Sequence, residues 1–90
     1  MTYNLVQKAY AADAMIGFHE RENEKKIVML RDEIKRWAEL IETTPEIAME
    51  TVGGRITFFA EELKVALAVK RQLEAQRKML EWMANEQGEE

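Results

Sequence analysis

Ile27-Val28-Met29-Leu30 and Val65-Ala66-Leu67-Ala68-Val69 are apolar on every side of the helices that carry them. A surface helix of a small monomer needs one apolar stripe, whereas a helix apolar all round needs neighbours all round. The residues around the first belt set its helix. Ile27, Leu30, Ile34, Trp37 and Ile41 advance by three, four, three and four residues, a heptad seam. The opposite face is charged, with Glu22–Lys26 and Asp32–Arg36 at the favourable i,i+4 spacing. A helix over 20–42 is therefore predicted.

Around the second belt no glycine or proline interrupts 55–86, and Ile56, Phe59, Leu63, Ala66, Leu67, Leu73, Leu80 and Met83 keep one face largely apolar. This predicts a second long helix. The acidic tail 87–90 opposes the helix dipole and is expected to fray. Between the long helices, Thr43-Thr44-Pro45-Glu46 predicts a helix restart, with Thr44 as cap and Pro45 at the first helical position. A short helix over 45–52 follows, stopped by Gly53-Gly54. Upstream, 4–18 forms an amphipathic first helix capped by Asn4 or Thr2. Gly17 weakens its far end, where a bend or a break can fall, and its continuity with the next helix is left open.

These elements define an all-α fold: an antiparallel hairpin of two long helices, an N-terminal helix and a short connecting helix, in one domain spanning 1–90. The belts lie about thirteen residues on either side of the turn region, roughly 20 Å from it, so the hairpin sets them level. One hairpin covers only one side of each belt. Self-association into a helical bundle is preferred over coverage by the first helix or by the short 45–52 helix, and a dimer over larger assemblies. The expected oligomer interface is Ile27, Val28, Leu30, Ile34, Trp37, Leu63, Leu67, Val69 and Leu73.

Composition narrows the function classes. The chain has 90 residues, 13 basic and 17 acidic, for a net charge of −4. Acids interleaved with the bases disfavour nucleic acid as partner. With no cysteine and no serine, disulfides, thiolate metal sites and a cysteine or serine nucleophile are excluded. No apolar run approaches the ~20 residues of a membrane span, and Met1-Thr2-Tyr3-Asn4 lacks the basic start of a signal peptide; a cytoplasmic location is expected.

Four motifs invite chemistry. His19, the sole histidine, has no second nitrogen ligand and reads as an exposed helix residue. Glu39 and Glu42, with Glu61 and Glu62, suggest half of the paired Glu-x-x-Glu magnesium site of the all-helical nucleotide pyrophosphohydrolases. The second pair at that spacing is missing, and Glu46 and Glu50 read as solvated. Residues 47–63 have a helix-turn-helix outline, but two aromatics and two acids stand where a groove-reading helix carries amides and bases. Gly53, Gly54, Arg55 and Thr57 would present backbone N–H groups, a guanidinium and a hydroxyl to an anion at a helix start, against the simpler reading of a glycine stop. No catalytic residue, metal or cofactor is assigned.

Met79, Trp82 and Met83 form an apolar cluster that either receives a partner or is covered by Tyr3, Tyr10 or Phe18. The sequence thus predicts a non-catalytic interaction protein, an adaptor, assembly factor or inhibitor, docking through helix faces. The second reading is an oligomer that captures an anionic molecule such as a nucleotide. A phage counter-defence protein fits that description, although composition does not establish such an origin.

Overall fold

The computed structural model describes residues 5–88. Apart from Thr43, Thr44 and Pro45, every one of them is helical. Helix α1 spans Leu5–Glu39 and helix α2 spans Met49–Gly88. Short 3-10 turns, Leu40–Glu42 and Glu46–Ala48, join them. The cap at Thr2 or Asn4, the coverage by Tyr3 and the end of the acidic tail (Glu89 and Glu90) lie outside the described residues.

The helices form an antiparallel hairpin, 67 × 24 × 14 Å. Its radius of gyration is 20.1 Å, against about 12 Å for a compact domain of this length. The expected register is present: Ile27, Leu30 and Ala66 form the buried cluster, with Phe59, Leu63 and Leu67 packed around it. Ala66 is small enough for α1 to approach closely, and its carbonyl accepts a 2.9 Å hydrogen bond from the Asn23 side chain. Bonding this half-buried side chain offsets the cost of burying its amide.

Two pairs of segments read separately in the sequence are each continuous. The helices over 4–18 and 20–42 are one helix, because Gly17 adopts no left-handed conformation and lies under the Arg77 guanidinium; a Cβ there would stand 3.6 Å from Arg77 Nη2. The pieces over 45–52 and 55–86 also merge. Gly53 and Gly54 sit inside α2 with no positive φ, so they stop nothing. Val52 is buried while Ile56 and Phe59 are half-buried. Tertiary packing on both sides of the glycines thus outweighs their helix cost of about 1 kcal/mol each.

The reversal itself lies one step earlier in the chain. The Leu40 carbonyl accepts from the Thr43 N–H at 3.2 Å, from Thr43 Oγ1 at 3.4 Å and from Thr44 Oγ1. Both threonines thus close the end of α1, and Thr44 does not cap the helix that follows. Pro45, with φ −59° and ψ 148°, is the extended residue before the Glu46–Ala48 turn and not the first helical position.

Candidate interaction surface

The hairpin consumes most of the residues expected to build an oligomer. Ile27, Leu30 and Leu73 are buried within the chain, and Ile34, Trp37, Leu63 and Leu67 are half-buried against the facing helix. Only Val28 and Val69 keep an exposed face. The outward half of each belt is nevertheless open, with Met29 53% and Val65 57% exposed. Trp82 is 62% exposed, and Tyr10 and Phe18 are themselves exposed, so neither of these covers the Met79–Trp82–Met83 cluster.

Cross-helix contacts mark the two flanks of the hairpin. On one, Lys26 reaches Glu62 at 3.9 Å and the Arg55 guanidinium lies 6.0 Å from the Trp37 ring centre. Helical spacing puts Met15 and Met29 in the Lys26 row, and Phe58, Val65, Val69 and Met83 in the Glu62 row. All six are exposed. Neighbouring charges on this flank are paired at home: Glu22 with Lys25 at 3.2 Å and Glu33 with Arg36 at 3.1 Å. This apolar flank went unrecognised in the sequence because Met15, Phe58 and Val65 fall outside the heptad seam that defines the hairpin.

The other flank is polar. Lys70 reaches Glu24 at 3.5 Å, and Arg77 Nη1 and Nη2 reach Asp13 at 2.7 Å and Glu20 at 2.6 Å. A shallow groove of about 260 Å³ runs between these pairs, lined by Glu20, Arg21, Asn23, Glu24, Lys70, Leu73 and Glu74. In the rows beside Glu24 and Glu74 stand Arg31, Lys35, Lys64, Arg71 and Lys78, which make no ion pair among the described residues.

Arg77 is the principal polar tie between the helices. Nε and Nη2 both donate to Glu20 Oε1, at 3.0 and 2.6 Å, while Nη1 donates to Asp13 Oδ1. These bonds, Glu20 first and Asp13 second, hold the guanidinium pKa above its ordinary value, so it stays charged at any working pH. Asp13 and Glu20 are seven residues apart on one face, but their shared partner is more than fifty residues away, which no local pattern announces. Arg77→Gln should lower the thermal unfolding midpoint. The deficit should shrink in 1 M NaCl, where the screening length is about 3 Å. A deficit independent of salt would show that the guanidinium acts by packing alone.

The expected anion cradle is not formed. Gly53, Gly54, Arg55 and Thr57 lie inside α2, where backbone N–H groups serve the helix ladder. Thr57 Oγ1 donates to the Gly53 carbonyl at 3.0 Å, and Arg55 is turned onto Trp37. Nor does 47–63 contain the turn that a helix-turn-helix requires. Glu39 ends α1 whereas Glu61 stands about three turns into α2 and Glu62 pairs with Lys26, so these acids do not converge. Among the described residues no three His, Asp or Glu side chains are placed to hold a metal. His19 is exposed, with its ring edge-on to Phe18 at 5.5 Å. No described helix is long and apolar enough to cross a membrane.

These surfaces define the class of molecule as an all-helical hairpin with one apolar and one basic flank. No protein family, curated protein or solved structure matches the chain.

Proposed function

We propose that this is a non-catalytic interaction protein that self-associates through its apolar helix faces and acts by helix-face docking, as an adaptor, assembly factor or inhibitor. The observation that carries this reading is the mismatch between core and surface. Among the described residues only Ile27, Leu30, Val52, Ala66 and Leu73 are buried, while fifteen large apolar side chains are exposed. The isolated chain shows 7564 Å² of accessible surface, where a compact chain of its mass shows about 5,400 Å². A standard interface conceals about 800 Å² of each partner, so the surplus of one chain exceeds its share of such an interface.

Light scattering across a concentration series tests it. The expected result is a mass of at least twice 10.5 kDa at the upper end, falling toward one chain on dilution. A single-chain mass at every concentration would leave partner docking as the only use for the open faces and remove self-association from the proposal.

A further inference from the structure

We infer that the second copy sits on the flank marked by Lys26 and Glu62, burying Met29, Phe58, Val65 and Val69 against their own counterparts and leaving the basic flank outward. This rests on the self-association proposed above and specifies its surface. Three observations select the flank.

The first is apolar supply at the level of the belts. Met29, Phe58, Val65 and Val69 are all exposed there and stand on both helices, so a flat partner can touch them together. A hairpin only 14 Å thick is a single layer of helices. Laying a second layer on this flank gives the four-helix arrangement in which such side chains acquire neighbours on every side.

Charge is the second. In a two-fold interface each patch meets a copy of itself. The basic flank would bring together two sets of Lys64, Arg71 and Lys78, unpaired among the described residues, with Glu74 as the unpaired acid among them, and this excess of like charge opposes association. On the apolar flank six nearby charges are paired within the chain, Lys26 with Glu62, Glu22 with Lys25 and Glu33 with Arg36, which leaves Glu61, beside Phe58 and Val65, as the unpaired ion of its row. Closing that flank brings together far less like charge than closing the other.

The third is area. The chain exposes about 2,100 Å² more than a compact protein of its mass. At 67 Å the hairpin is long enough for one flank to supply a standard-sized interface, about 800 Å² per partner, without any change of fold.

Opposed substitutions on the two flanks test this, read by light scattering with circular dichroism as the check of helicity. Val65→Lys places a charge at the centre of the apolar flank, twice per dimer. It should raise the dimer dissociation constant at least about 100-fold while the helical signal is retained. Met29→Lys on the other helix should do the same and serves if Val65→Lys proves unfolded. The pair Lys64→Glu with Arg71→Glu, on the basic flank, should leave the dissociation constant within about threefold. If the wild type is dimeric but Val65→Lys and Met29→Lys leave it so, or if the basic-flank pair dissociates it, the chosen flank is wrong while self-association stands. A wild type that remains a single chain throughout defeats the underlying reading itself.

Discussion

Ile27→Ala should unfold this protein at a midpoint at least about 8 °C below the wild type. Ile27 is 1% exposed and stands at the centre of the Ile27–Leu30–Ala66 cluster. Removing a buried isoleucine side chain costs about 2–5 kcal/mol, from lost burial and from the cavity left behind. For a domain of this size each kcal/mol moves the midpoint by about 4–8 °C. The upper part of the cost range applies here, because the single helix layer has few residues that can collapse into the gap. Val28→Ala is the control. Its side chain is 52% exposed on the back of α1, and alanine is the better helix former, so the change should be within about 0.5 kcal/mol. Thermal melting followed by circular dichroism, with both variants at one chain concentration, measures the contrast. Equal losses from the two substitutions would mean that α1 does not present the Ile27 face to α2.

That contrast between neighbours shows what the sequence made legible. The heptad seam from Ile27 to Trp37, with Leu63 to Leu73 opposite, is a local period, and it defined both the hairpin and the level at which the belts meet. It did not fix which side of each belt faces inward: Ile27, Leu30 and Leu73, expected at the oligomer interface, are buried within the hairpin. Helix continuity was less legible, because Gly17, Gly53 and Gly54 carry helix-breaking propensities that count as evidence only until packing intervenes. Arg77 overlies Gly17, and Val52, Ile56 and Phe59 hold α2 on either side of its glycine pair. Both are contacts between distant parts of the chain, invisible to a local window. The anion reading failed for the same reason, since it required a helix to begin at Arg55.

The Arg77 clamp and the division into two flanks were illegible for a different cause. A row such as Phe58, Val65, Val69 and Met83 becomes a surface only when it is known which neighbouring row faces α1. Lys26–Glu62 and Lys70–Glu24 settle that in three dimensions. Once the inward direction is fixed, the same spacing separates apolar rows from basic ones.

Replacing both Gly53 and Gly54 with alanine should stabilise the protein by about 1–2 kcal/mol, the opposite of the result expected for a glycine stop. Neither residue has a positive φ, and a Cβ built on either meets nothing within 4 Å. Alanine therefore adds no clash, gains the helix propensity that glycine lacks and reduces the freedom of the unfolded chain, about 0.5–1 kcal/mol per site. Had the pair terminated a helix in the left-handed conformation, each alanine there would cost roughly 1–2 kcal/mol. The two geometries thus predict opposite signs, separated by several kcal/mol, which urea unfolding resolves easily. Amide hydrogen exchange should follow the same sign. In the wild type the first turns of α2 carry two glycines and little burial beyond Val52, which makes them the segment of α2 that opens most readily among those packed on α1. With alanine at both positions, protection from Val52 to Ile56 should rise toward that of the Ala66 region. A loss of stability on double substitution would restore the interrupted helix and, with it, a helix start at Arg55.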